Sequence, residues 1–283
     1  MKLLFVGLFP VFFIFACNNE TPGGGQDTAN SDTIAEAPEM LESGTSLPSP
    51  LLVAAMFKRS GLKYLPGLTN RTENSSKYTT SITRAQNMGV YSADLAYAIL
   101  NKQANEGRKY LRTIREIASQ INLGKVFDQG NLYDRLNANM EREDSIVSIL
   151  ADIQYATDEQ LEQNELGHLN GIIFAGAWVE SMYIGSQVYR SDTSQALFNA
   201  LVTQLAVCNS IIHELKVNQA HDPDIPQLIA DLSAIQATID AMPSMKKFSE
   251  TPDMELSDVH PSREELQPVI KKIEELRAKI ING

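Results

Sequence analysis

The chain has 283 residues, with 24 Lys and Arg against 35 Asp and Glu, and its formal net charge is −11 at pH 7. An acidic surface repels phosphate backbones, and no basic stripe with interleaved aromatic residues offsets it, so nucleic acid is excluded as a partner. The length allows one large domain or two small ones.

Residues 1–16 have the layout of an export signal, with one positive charge followed by an apolar run rich in Leu and Phe. A membrane-spanning helix needs about 20 apolar residues, so this run is too short to span. Ile14-Phe15-Ala16-Cys17 resembles the lipobox of bacterial lipoproteins, in which a small residue precedes the cysteine that is acylated and becomes N-terminal. An ordinary cleaved signal is the alternative, but the change of composition at Cys17 favours lipidation.

Residues 17–50 are predicted to be the lipidated cysteine and a disordered tether. After Cys17 this stretch holds six acids, no Lys or Arg, and much Gly, Pro, Ser and Thr, which cannot bury enough apolar surface to fold. Its random-coil reach is about 30 Å. Cleavage before Cys17 leaves 23 basic and 35 acidic residues, a net charge of −12. The predicted location is the cell envelope, with the outer membrane as the default because Asn18 is not the aspartate associated with inner-membrane retention.

Residues 51–283 are predicted to form a helical domain, because no segment alternates apolar and polar residues long enough for a sheet. Four segments instead show helical periodicity. Their apolar stripes are 110, 111, 114, 117, 118 and 121; 197, 201, 205, 212 and 215; 225, 228, 229, 232, 235 and 239; and 266, 269, 270, 273, 276 and 280. We expect an all-α fold, an antiparallel helical bundle or helical array of about seven helices.

Local signals predict where several helices begin and end. Ser262 with Glu265 forms a capping-box pattern before the last helix, and Pro268 is expected to kink that helix or mark its true beginning. Thr157 with Gln160 predicts a second capping box, opening a long helix to about residue 188. Gly124 is expected to end the first stripe in the left-handed conformation.

Two central helices, at about 84–103 and 158–188, are the most apolar parts of the domain. Each contains a short run that begins with glycine, Gly89 in the first and Gly176 in the second, which leaves open a duplication into two weakly related halves. The stretch 60–83 between the first apolar segment and these helices is long for a connection, so it is either packed by its tyrosines or functional.

Each central helix carries an acid where core is expected, and a buried carboxylate must be paired, hydrogen-bonded or protonated. One interpretation is an aromatic-lined pocket between the helices, with two carboxylates facing a ligand or metal. The candidate ligand-pocket residues are Tyr91, Asp94, Tyr97, Trp178, Glu180 and Tyr183. The other interpretation, which we favour, is structural: each acid bonds a tyrosine hydroxyl or an arginine such as Arg84 or Arg190. On that interpretation Asp94→Asn and Glu180→Gln both lower stability.

The sequence assigns no catalytic residue, no cofactor and no metal site. The histidines 168, 213, 221 and 260 are scattered without the spacing of a helical zinc site, and nucleophile-elbow, zincin, phosphate-loop and calcium-loop patterns are missing. Cys208 has no intramolecular mate if Cys17 is acylated, and we expect it to serve as a small apolar residue on a helix face.

Four runs, LPSPL at 47–51, GLKY at 61–64, NMGVYSADL at 87–95 and GAWVE at 176–180, resemble an uncharacterised group of helical lipoproteins from Bacteroidetes-type bacteria. The resemblance covers most of the domain and implies its localisation and fold, but no activity.

The leading functional hypothesis is a membrane-anchored envelope lipoprotein whose non-catalytic helical domain binds a protein or small-molecule ligand. The first alternative is an enzyme or metal site built on Asp94 and Glu180, and the second is a structural spacer.

Overall fold

The computed structural model describes residues 50–251, 253–254 and 258–283. The predicted export signal, the lipobox at Cys17 and almost all of the predicted tether lie outside these residues. Within them the chain is all-α and forms no strand, which confirms the predicted fold class.

The described residues form twelve α-helices, so the prediction of about seven is wrong. They are α1 Pro50–Arg59, α2 Ser81–Leu100, α3 Ala104–Gln120, α4 Lys125–Asp128, α5 Leu132–Ala138, α6 Glu143–Gln163, α7 His168–Asp192, α8 Gln195–Leu205, α9 Val207–Asn218, α10 Ile225–Asp240, α11 Pro243–Glu250 and α12 Arg263–Asn282. Helices of four to eight residues, such as α4, α5 and α11, are too short to show an apolar period.

The four predicted stripes are buried faces of α3, α8 with α9, α10 and α12, with Ile229 alone only partly buried. The predicted capping box at the start of α12 is present: the Ser262 hydroxyl accepts the backbone N–H of Glu265 at 3.2 Å, and the Glu265 side chain accepts the N–H of Ser262. The helix begins five residues before Pro268, which is therefore not its start. Gly124 is right-handed, and the left-handed residue after α3 is Asn122, with φ of 63°.

The predicted start of the second central helix is wrong. Thr157 lies inside α6, where its hydroxyl donates to the carbonyl of Ile153 at 2.7 Å and so caps nothing. The chain turns at Glu165, with φ of 58°, and the N–H of Leu166 closes the turn on the carbonyl of Leu161 at 2.8 Å. A second helix then starts at His168. A Ser or Thr hydroxyl inside a helix can bond backward to the carbonyl four residues earlier, so a capping-box pattern alone does not locate a helix start.

The helices α2 and α7 form the centre of the domain and cross with their backbones in contact. A Cβ atom added to Gly89 would lie 1.8 Å from the carbonyl oxygen of Ile173, and one added to Gly176 would lie 2.0 Å from that of Gln86. Only glycine fits at either position. The glycine shared by the two central runs is thus explained by this crossing, with no need for a duplication.

The central helices run in the same direction, where the prediction was an antiparallel bundle or a helical array. Gly89 meets Ile173, and further along both helices Asp94 meets Glu180. The chain returns between them through α3 to α6, which allows a parallel pair. The helix α12 is antiparallel to α7.

We predict that Gly89→Ala and Gly176→Ala each cost more than about 3 kcal/mol of unfolding free energy, because their methyl groups would overlap backbone atoms that cannot move independently. Denaturant unfolding followed by circular dichroism measures the loss. Gly167→Ala is the matched control, since no atom lies within 4 Å of its added Cβ. Equal stability of Gly89→Ala and Gly167→Ala would contradict the crossing geometry.

Candidate functional site

The close crossing of α2 and α7 brings the two singled-out acids to one point. Asp94 and Glu180 are both wholly inaccessible to solvent. The two acids act on each other electrostatically. Two carboxylates without water need a counterion or a proton, so the surrounding groups decide what this arrangement can do.

Glu180 is neutralised by Arg277, which reaches in from α12. The Arg277 Nε donates to Oε2 of Glu180 at 2.7 Å and its Nη2 donates to Oε1 at 2.8 Å. The same Nη2 also donates to the carbonyl of Leu68 at 2.9 Å, and the guanidinium lies 3.9 Å from the ring centroid of Tyr183. Bidentate pairing with a stacked ring fixes the guanidinium in one orientation. Burial lowers the pKa of Arg277, but the charge and hydrogen bonds of Glu180 outweigh it and raise that pKa.

Asp94 has a different environment, with one hydrogen bond and no cation of its own. Its Oδ2 accepts the backbone N–H of Asn70 at 3.1 Å, and its Oδ1 is buried without a hydrogen-bond donor. Burial is the largest cause that raises the pKa of Asp94 well above its ordinary value of 3.8, and the negative charge of Glu180 raises it further. Arg277 and the Asn70 N–H act in the opposite direction and do not offset these effects.

Residues 61–80 form a segment, the strap, that lies against α2 and α3 through tyrosine hydroxyls. Tyr91 donates to the carbonyl of Arg71 at 2.8 Å, and Tyr110 donates to the Thr69 hydroxyl at 2.6 Å. Tyr97 holds the strap at its first turn, donating to the carbonyl of residue 63 at 2.8 Å and accepting the N–H of residue 65 at 2.7 Å. The candidate tyrosines of α2 therefore bind strap backbone, and neither hydroxyl bonds Asp94.

Side chains of the strap and of α2 form hydrogen bonds to the end of α12. The Asn70 side chain donates to the Tyr78 hydroxyl at 3.0 Å, and that hydroxyl donates to the carbonyl of Ile281 at 3.1 Å. Asn87 of α2 donates to the neighbouring carbonyl of Ile280 at 2.8 Å. Carbonyls in the last turn of a helix have no partner within it, so these side chains satisfy them.

Only part of the candidate pocket is one site. Trp178 points elsewhere, since its indole N–H donates to the carbonyl of Gln204 in α8 at 3.2 Å. Tyr183, partly buried, covers Arg277. Tyr91, Asp94, Tyr97, Trp178 and Glu180 expose at most 2% of their surface. The six residues therefore line no cleft open to solvent, and a ligand would have to displace protein to reach the acids.

The tyrosines around Asp94 are held neutral. Burial raises the pKa of Tyr97 to about 12, and burial also raises the pKa of Tyr91, Tyr110 and Tyr78. Each of these hydroxyls is a hydrogen-bond donor in the structure, which requires its proton. These hydroxyl groups hold the strap in place by hydrogen bonds.

Metal-ligating side chains do not gather elsewhere in the described part of the chain, where no three of His, Cys, Asp and Glu are placed to hold an ion. His168 and His221 stack with ring centroids 5.1 Å apart, a pairing that their spacing in the sequence does not suggest. Cys208 is fully buried and free as a small core residue, and burial raises its thiol pKa to about 12.

The sequence interpretation missed Arg277 and Asn70. Arg277 is four residues from Ile273 and next to Leu276, so it sits on the apolar stripe of α12, and a cation on such a stripe is a detectable signal. Asn70 acts through its backbone N–H from an irregular segment, and no periodicity marks it. Arg190, the arginine considered as a partner, pairs with Glu274 at the surface instead.

Comparison with known proteins adds no functional assignment, since no family model, curated protein or solved structure matches the chain. The resemblance to helical lipoproteins remains an expectation from the sequence.

We predict that Glu180→Gln lowers the unfolding free energy by about 3 kcal/mol, because Arg277 stays buried and loses its counterion. Chemical denaturation of the purified variant measures the change. Glu274→Gln provides the matched control, since its partner Arg190 is 42% exposed and the pair should contribute no more than about 1 kcal/mol. Equal losses in the two variants would show that Glu180 is not the essential counterion.

Proposed function

We propose that the protein is a lipid-anchored cell-envelope lipoprotein whose helical domain is non-catalytic and binds a partner through its outer surface. The anchor is the acylated Cys17, the tether is residues 17–50, and the likeness of the mature domain to helical lipoproteins of Bacteroidetes-type bacteria agrees with this assignment. The outer membrane is the proposed location.

The observation that carries the non-catalytic character is the state of the acids. Catalytic acids and bases must reach the proton that they transfer. Glu180 instead gives both oxygens to Arg277, and Asp94 gives one oxygen to a backbone N–H. Neither is exposed to solvent. The pair matches a structural element between helices, and the enzyme or metal alternative loses the open cavity on which it depended.

Binding through the surface is favoured over binding in the interior for the same reason. A small-molecule site is a concave pocket that buries most of its ligand. One hollow in the described residues lies between α10 and α12, is lined by Asp231, Lys272 and Lys279 among others, and has a volume of about 130 Å³. A protein partner needs no such pocket, since protein interfaces are broad and shallow.

One apolar segment inside the domain bears on the anchor. Gln195–Asn218 is long and apolar enough to cross a membrane by length and composition. Half of its most apolar 18-residue stretch is buried in the domain, where Leu201, Cys208 and Ile211 are fully enclosed. Core helices of soluble domains have the same composition, so we assign membrane attachment to the lipid.

We predict that Cys17→Ser leaves the protein in the soluble fraction or as an uncleaved precursor, because acylation supplies the anchor. Cell fractionation combined with metabolic labelling by a fatty acid analogue measures both outcomes. Cys208→Ala is the matched control, and this variant should remain labelled and membrane-bound. A Cys17→Ser protein that matures normally and floats with membranes would contradict the lipoprotein assignment.

We also predict that Asp94→Asn leaves unchanged the set of molecules that copurify with the acylated protein after cross-linking in intact cells. The changed atom is buried and a surface partner does not contact it. Loss of a copurifying molecule with the fold intact would favour the pocket alternative. Recovery of no partner at all from wild-type protein would favour the spacer.

A further inference from the structure

The cluster at the centre of the domain has more acids than bases. Asp94 and Glu180 would carry two negative charges, and Arg277 supplies one positive charge. The other titratable groups that face Asp94 are tyrosines, from the strap, α2 and α3: Tyr64, Tyr78, Tyr91, Tyr97 and Tyr110. None of them contributes a positive charge. A fully ionised cluster would hold one uncompensated negative charge away from water, which is strongly unfavourable.

The hydrogen bonds leave one place for a proton that removes this charge. Both oxygens of Glu180 already accept from Arg277, so Glu180 is the ionised member. The Oδ2 of Asp94 accepts from Asn70, while Oδ1 has no donor. A proton on Oδ1 gives this buried oxygen the hydrogen bond that it lacks, and Glu180 can accept that bond because each of its oxygens has a second lone pair.

We propose that Asp94 and Glu180 share one buried proton, carried on Oδ1 of Asp94, and that this proton keeps the strap closed over α2 and α7. The strap contacts the cluster at two places, the N–H of Asn70 on Asp94 and the carbonyl of Leu68 on Arg277. When the proton leaves, the cluster acquires a net negative charge that must be hydrated. Helices α2, α7 and α12 are held by their own backbone hydrogen bonds and by packing, whereas the strap has only a short 3-10 helix at Thr72–Lys77, so the strap is the layer that opens to admit water.

The direction of the pH dependence follows from the state of Asp94. Burial, followed by the charge of Glu180, raises the pKa of Asp94 above its ordinary value of 3.8. A raised pKa means that the folded protein holds the proton more tightly than the unfolded chain does. The stabilising contribution is complete below pH 3.8 and is lost as the pH rises through the folded value. Strap opening is thus expected as the pH rises, and it does not depend on the membrane anchor.

The test compares wild-type protein with Asp94→Asn by hydrogen exchange of strap peptides over a range of rising pH. The asparagine amide resembles the protonated acid, since it donates to Glu180 and accepts from Asn70, but it has no proton to lose. Above the transition, wild-type strap protection, corrected for intrinsic exchange, should fall about tenfold per pH unit. Protection in Asp94→Asn should stay constant.

One control variant and a second measurement keep the outcome interpretable. Asp192→Asn removes an exposed ion pair to Lys63 of the strap, with a distance of 2.6 Å, and should titrate like wild type. Infrared difference spectra should show a protonated carboxylic acid in wild type and Asp192→Asn that is missing from Asp94→Asn. The proposal is overturned if that band is missing from wild type, if the strap protection of wild type and Asp94→Asn changes alike with pH, or if wild-type protection does not change.

Discussion

The backbone contact between α2 and α7 at Gly89 and Gly176 is the constraint on which the centre of this domain depends. Helices that touch backbone to backbone leave no room for long side chains near the crossing, so the groups just beyond it face each other at short range. Those groups are Asp94 and Glu180. Their meeting is a consequence of the close approach, and it creates a concentration of negative charge that the rest of the domain has to accommodate.

The accommodation comes from both ends of the domain. Arg277 enters from the last helix and contacts Glu180 and the strap carbonyl of Leu68, which is 209 residues away in the chain. Asn70 enters from the strap and contacts Asp94. Contacts between such distant segments form only after most of the chain is folded, because closing long loops costs entropy before any contact is gained. The central cluster therefore forms only when most of the domain is folded.

The sequence allowed the prediction of features that depend on local pattern. The apolar periods of α3, α10 and α12 and the capping box at Ser262 follow from spacing along one helix, and the structure confirms them. Features that depend on partners far apart in the chain were not predicted. The break between α6 and α7 is one, because the left-handed residue of its turn is Glu165, whereas the nearby Gly167 is right-handed.

The candidate site also combines a feature that local sequence predicted with one that depends on residues far apart in the chain. Two acids in apolar helices predicted a buried, paired arrangement, and the structure brings them together. Whether they faced a ligand or the protein depended on Arg277 and Asn70, and neither is near them in sequence. A buried acid alone is consistent with both possibilities. The cation on the apolar stripe of α12 was the one observation in the sequence that favours the structural possibility, because a buried cation requires an acid somewhere in the fold.

The unequal environments of the two acids also change what their substitution means. A single expectation that both amide variants destabilise the domain treats the acids as equivalent, and the structure separates them. Glu180 is the counterion of a buried guanidinium, so an amide there removes a necessary charge. Asp94 lies beside that counterion with an oxygen lacking a donor, so an amide there replaces a group that has to be neutral in this site. Two buried acids that interact electrostatically thus have opposite roles, because one guanidinium can neutralise only one of them.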